Sequence, residues 1–140
     1  EIVQKVRSMI PKARMLQTAD TLRYLAMGGR IGKAQSLVGS LLNIKPIIGM
    51  EDGVIVPLGV ERSTRKVYKK MAQMVSAAVG EGGKIKVAYV HAGARQQLEL
   101  LREQVEQRMQ CVETLFTELP PALAVHSGPG TTGLCYYPVE

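Results

Sequence analysis

The sequence has no tryptophan, one phenylalanine, two cysteines and two histidines among its 140 residues, and each scarcity removes a class of function. Five tyrosines beside that phenylalanine leave few rings for stacking unpaired bases, and no nucleic-acid-binding motif accompanies them, so nucleic acid is not expected as a partner. Cys111 and Cys135 form neither a disulfide framework nor a C-x-x-C pair, and two buried thiols in a reducing cytoplasm are expected. His91 and His126 have no third ligand at metal spacing, which argues against a zinc or iron centre. No apolar run approaches the ~18 residues of a spanning helix, so no stable membrane anchoring is expected. The chain opens on Glu1 with an amphipathic Ile2, Val3, Val6, Met9, Ile10 pattern in place of an apolar signal segment, and it reads as a fragment of something longer.

What is present fits one compact globular domain: 46% apolar and 21% charged residues can build a core and keep it soluble. The net charge of +6 is unevenly placed. Up to Lys86 there are 15 basic and 6 acidic residues, and from Val87 onward 3 and 6. An anionic partner is therefore expected on the first part of the chain.

Periodicity divides the chain into short elements. Residues 2–10 read as a helix stopped by Pro11, 14–18 as a strand, and 21–27 as a helix capped by Asp20 and ended by Gly28-Gly29. Ala34, Leu37, Val38, Leu41 and Leu42 share one face of a helix expected over 33–42, with Asn43 as its C-cap. Residues 44–50 and 54–61 form a hairpin around Glu51-Asp52-Gly53, whose Asp-Gly pair suits the positive φ angles of tight turns. Ser63 or Thr64 caps the next helix, striped by Val67, Met71, Met74, Val75 and Ala78 and stopped by Gly80. A strand over 84–90, a helix over 94–109 with Leu98, Leu101, Val105 and Met109 inward, and a strand over 112–119 follow. Pro120-Pro121, a short turn or helix around 122–125 and a last strand over 132–137 complete the order. About six strands with four or five helices imply an α/β (α+β) sandwich on a mostly antiparallel sheet, with helices packed on it.

Three features carry candidate chemistry. Gly28-Gly29-Arg30-Ile31-Gly32-Lys33 is not a phosphate loop: three residues rather than four separate its glycines, and Ala34 stands where Ser or Thr would hold magnesium. It remains a glycine turn that presents Arg30 beside backbone N–H groups, an oxyanion-sized site. His126 sits in a second glycine-rich turn, and its neighbour Ser127 lacks the G-x-S-x-G elbow of a hydrolase. Arg62, Arg65, Lys66, Lys69 and Lys70 cluster at the end of the hairpin, suited to a carboxylate or phosphate on a partner.

Leu22-Arg23-Tyr24-Leu25, Gly28-Gly29-Arg30-Ile31-Gly32-Lys33-Ala34 and Gly39-Ser40-Leu41-Leu42-Asn43-Ile44-Lys45-Pro46-Ile47 resemble the DegV family of bacterial fatty-acid-binding proteins. The Glu51-Asp52-Gly53 hairpin, the strand ending at His91-Ala92 and His126-x-Gly128-Pro129-Gly130 continue the same order. The resemblance implies a two-domain protein, of which residues 1–12 are the linking helix from an N-terminal domain and 13–140 the C-terminal domain. It implies a long-chain fatty acid between the domains, its carboxylate held by N-terminal hydroxyl residues together with Arg30 and His126. Gly28, Gly29, Ile31 and Gly128 are implied as ligand-binding neighbours, and Leu37, Val38 and Leu41 as wall for the acyl chain. The family's carriers hand the acid to a separate fatty acid kinase, whose acyl-phosphate product enters phospholipid synthesis. A cytoplasmic, non-catalytic carrier subunit without cofactor or metal is thus expected. Kinase docking would fall on Arg62, Arg65 and Lys66, although the family's closely spaced arginines are here separated as Arg62-Ser63-Thr64-Arg65. The rival reading is an enzyme domain in which Arg30 stabilises an oxyanion and His126 is general acid or base.

Overall fold

A computed structural model describes residues 1–38 and 44–140. Helix α1 (Ile2–Met9) and a 3-10 turn at Ile10–Lys12 lead into β1 (Arg14–Thr18), followed by α2 (Arg23–Met27) and a 3-10 stretch at Gly32–Leu37. Then come β2 (Lys45–Glu51), β3 (Val54–Glu61), α3 (Thr64–Val79), β4 (Lys84–His91), α4 (Arg95–Glu106), β5 (Gln110–Glu118), α5 (Pro121–Ser127) and β6 (Thr132–Pro138). The six strands form one sheet in the order β3-β2-β1-β6-β4-β5. All neighbouring pairs are antiparallel except β4 and β5, which run parallel with α4 as their crossover. The expected architecture is the observed one.

Alternation along the strands assigns one face of the sheet to α3 and α4. Leu16, Ile47, Ile85, Val87, Tyr89, Leu134 and Tyr136 meet Val67, Met71, Val75, Leu98, Leu101 and Val105 in the main core. Ser63 caps α3, its Oγ accepting from the Lys66 N–H at 3.3 Å, and Gly80 ends that helix at φ 104°. Ala78 departs from the expected stripe and is exposed, because the end of α3 faces the core through Val75 and Val79. On the opposite face, α2 and the 3-10 stretch cover only the β2 and β3 side, where Leu22, Leu25, Ile31, Ala34 and Ile48 form a second cluster.

Two local expectations change. Asp20 does not cap α2: the Arg23 N–H bonds to Thr21 Oγ1 at 3.1 Å, and Asp20 instead pairs with Lys45 Nζ at 2.5 Å. The segment after Gly32 is a 3-10 stretch ending at Leu37, with Val38 already extended at ψ 125°. Gly32 explains its tightness. At φ 55° it lies against the Ile55 backbone, where a Cβ would come within 2.6 Å of the carbonyl oxygen, so the chain is drawn onto the hairpin. Ala34 is buried and Leu37 packs on the second cluster, whereas Leu41, Leu42 and the Asn43 cap lie outside the described residues. The hairpin turn takes the expected form, with Asp52 at φ 50° and Gly53 at φ 77°.

Candidate functional site

Among the described residues α2 and the 3-10 stretch do not extend over the part of the second face belonging to β1, β6, β4 and β5, and the candidate site is a groove on it. Cross-strand register sets its floor. Met15 stands opposite Cys135 and Gln17 opposite Gly133, while Cys135 and Gly133 face Ala88 and Val90 on the other side. The α2 and 3-10 layer forms one wall with Gly29, Arg30, Gly32 and the hairpin residues Met50 and Val54, and α5 forms the other with Leu123 and His126. The groove encloses about 600 Å³, within the ~300–1,000 Å³ usual for small-molecule sites.

Arg30 reaches this groove through a helix ending that the sequence dictates. Gly29 adopts φ 67°, its N–H bonds to the Ala26 carbonyl at 3.2 Å, and the Arg30 N–H reaches back to the Leu25 carbonyl at 3.0 Å. This is the double closure of a Schellman motif, and it throws the residue after the glycine outward. The Arg30 side chain is exposed, and its Nη1 donates a long 3.4 Å bond to the Gly28 carbonyl. Among the described residues no carboxylate pairs with it, and no Asp or Glu lines the groove, so Arg30 is the one formal charge there.

His126 arrives from the other wall, in the last turn of α5. Its imidazole lies on Gly28, whose missing Cβ would collide with Nδ1. Gly28 therefore touches both functional side chains, with its carbonyl toward Arg30 and its α-carbon under His126. Buried Nδ1 has no hydrogen-bond partner. With Nδ1 packed on Gly28, Nε2 is the ring nitrogen left to bond a ligand. The α5 position is fixed by Thr131 Oγ1 bonding the Ser127 carbonyl at 2.9 Å, and by Gly130 N–H bonding the Ala92 carbonyl at 2.9 Å.

The other sequence-derived positions separate. Gly28 and Gly29 belong to the site as just described. Ile31 is buried in the second cluster and Gly128 packs its α-carbon on the Tyr24 ring, so neither lines the groove among the described residues. Of the expected wall residues, Leu37 packs on the second cluster, Val38 is exposed away from the groove lining, and Leu41 is outside the described residues. Arg62, Arg65 and Lys66 are exposed where β3 passes into α3. Since α3 packs on the opposite face, they are spatially separate from the groove. Two residues of the floor went unread in the sequence. Gln17 was read only as part of a strand, and Cys135 is exposed rather than buried, because it alternates with core-facing Leu134 and Tyr136. Cys111 is half-buried.

The hydroxyl and thiol of the groove are engaged or shielded. Ser127 Oγ is engaged with the Leu123 carbonyl at 3.2 Å, and the strands flanking Cys135 shield its sulfur enough to push the thiol pKa up. Neither is an activated nucleophile. His91 is also structural: it is buried, and its Nδ1 accepts from the Ala94 N–H at 3.2 Å at the start of α4. No group of three or more potential metal ligands occurs among the described residues, and no helix among them is long and apolar enough to cross a membrane.

Residues 1–139 match the model of the family described as "Uncharacterised protein, DegV family". A DegV domain-containing protein of Clostridium acetobutylicum is 31% identical over 137 residues, which cover 98% of this chain and 48% of that protein. Another from Halalkalibacterium halodurans is 29% identical over 136 residues, covering 97% and 48%. Among solved structures, a DegV family protein from Thermus thermophilus described for its fatty acid binding superposes with a TM-score of 0.93 at 27% identity, over 99% of this chain and 50% of that one. A fatty-acid-binding DegV family protein from Streptococcus agalactiae gives 0.86 at 26% identity, over 99% and 49%. The chain thus spans about half the length of the curated relatives it matches.

Proposed function

The chain belongs to the DegV family, and from that premise we propose that it binds the carboxylate of a long-chain fatty acid in the groove between α2 and α5. The observation that carries this reading is the convergence of Arg30, without a carboxylate partner among the described residues, and the His126 imidazole on Gly28, above a groove lined mostly by apolar residues. A carboxylate taken out of water requires such charge-assisted donors to offset its desolvation. In the intact protein a preceding domain supplies hydroxyl donors and covers the acyl chain. Residues 1–12 are the link to that domain, and α1 presents Ile2, Val3, Val6 and Ile10 uncovered. The protein is a non-catalytic cytoplasmic carrier that presents the bound acid to a fatty acid kinase for acyl-phosphate formation.

Lipid extracted from the purified intact protein and analysed by mass spectrometry is expected to contain free fatty acid near one equivalent per chain. Its absence, with turnover of an acyl substrate in the absence of any kinase, would favour the enzyme reading in which Arg30 and His126 act on an oxyanion.

Kinase contact is assigned to exposed Arg62, just before the Ser63 cap, and to Arg65 and Lys66 in the first turn of α3, which contains no acidic residue. Reversing Arg62 and Arg65 to Glu is expected to lower kinase turnover at limiting carrier by about tenfold or more, and fatty acid affinity should stay unchanged. Unaltered turnover at low salt would remove the docking assignment.

A further inference from the structure

The groove contains one polar side chain that neither the sequence reading nor the carboxylate site so far described uses. Gln17 projects from the middle of β1 onto the floor, half-buried, between Ile48 on β2 and Gly133 on β6. Its companions on the floor are Met15, Val90 and Cys135, and beyond them Leu119 and Leu123. Gly133 offers no side chain to cover it; a Cβ there would come within 2.7 Å of the Leu16 carbonyl oxygen, so the gap beside Gln17 is a requirement of the strand pairing. The Gln17 carboxamide makes no hydrogen bond among the described residues, whereas Ser127, another polar residue of the lining, is already bonded to Leu123.

We infer that Gln17 is a head-group positioning residue of this groove, its Nε2–H donating to the carboxylate oxygen of the bound acid that Arg30 leaves free. The inference rests on the fatty-acid reading given above. A ligand lying over the floor strips water from the carboxamide, and a polar group stripped of water and left unpaired opposes binding. An unsubstituted acyl chain has polar atoms only at its head. The head must therefore lie within reach of Gln17, which places it over the β1 and β6 strands, between that carboxamide and the Arg30 guanidinium. A carboxylate has about four lone-pair positions, so Arg30, His126 and Gln17 can each give one hydrogen bond and leave a position for a hydroxyl of the preceding domain.

The test titrates hexadecanoic acid and hexadecanol into the intact protein and its Gln17→Glu and Gln17→Leu variants, after thermal melts have established that both variants fold. Gln17→Glu opposes like charges and is expected to weaken the acid about tenfold or more while holding the alcohol within about twofold, since a carboxylate accepts from a hydroxyl. Gln17→Leu is expected to weaken the acid about threefold to fivefold and to leave the alcohol unchanged or tighter. Wild-type protein that binds the acid, with both variants unchanged, overturns the Gln17 assignment and leaves the fatty-acid reading intact. Equal losses for acid and alcohol, or tighter binding of both by Gln17→Leu, overturn it too, since they place Gln17 along the tail. Wild-type protein that binds no acid overturns the functional reading itself.

Discussion

Arg30→Ala is expected to weaken the intact protein's affinity for a long-chain fatty acid by about 30-fold, or ~2 kcal/mol, within the range for hydrogen bonds to charged groups. The loss is large because Arg30 is the only formal charge among the described residues lining the groove, so its removal leaves a carboxylate in an apolar site with neutral donors alone. Stability should hardly change. The side chain is exposed and its single 3.4 Å bond to the Gly28 carbonyl is weak, so truncation leaves no cavity, and the ligand-free melting temperature should stay within about 2 °C. His126→Ala is expected to be milder, about fivefold, since the imidazole contributes one hydrogen bond of ~1 kcal/mol. A fall in melting temperature of several degrees for Arg30→Ala, with affinity retained, would mean that the glycine turn is only a turn.

Gly128→Ala should do the reverse and act on the scaffold. Gly128 adopts φ 85° and ψ 164°, a region essentially restricted to glycine, and the added Cβ would press into the Tyr24 ring. Backbone strain of ~1–3 kcal/mol and overpacking of similar size add to a destabilisation of about 3 kcal/mol, roughly a 10 °C drop in melting temperature for a domain of this size. Fatty acid binding should fall with it, because α5 carries His126 and packs on α2 through that contact. Gly29→Ala is the control. It has the same sign of φ, at 67°, but nothing stands within 4 Å of its Cβ position, so about 1 kcal/mol is expected. Equal melting temperatures for the two variants would show that the Tyr24 contact is soft.

The contrast between these glycines illustrates what a sequence does and does not disclose. Positions governed by local chemistry were legible. The Asp52-Gly53 turn, the Ser63 cap and the alternation of Ile85, Val87 and Tyr89 each follow from interactions within a few residues. Arg30 and His126 could be picked out individually because glycines frame both. That they meet on Gly28 could not, since the contact depends on α5 crossing to α2 from about a hundred residues away. The stretch after Gly32 misled because its apolar spacing suits a helix while its anchoring to the Ile55 backbone, a tertiary fact, tightens it into a 3-10 form. Cys135 was misplaced and Gln17 passed over for one shared reason. Strand alternation puts both on the second face of the sheet, but only the strand order reveals that α2 and the 3-10 stretch cover that face over β2 and β3 and, among the described residues, leave a groove beside them over β1 and β6. Composition likewise points to an anionic partner through the excess of basic residues before Lys86, yet the groove uses a single one of them.

The most direct test of the central claim compares hexadecanoic acid with hexadecanol by calorimetry on the intact wild-type protein and on Arg30→Ala. If Arg30 is the charge partner of the carboxylate, wild-type protein prefers the acid by about tenfold or more and the variant loses most of that preference while its affinity for the alcohol stays put. An undiminished preference for the acid in Arg30→Ala would contradict the account, because the carboxylate would then be held by something other than the side chain that the α2 ending projects into the groove.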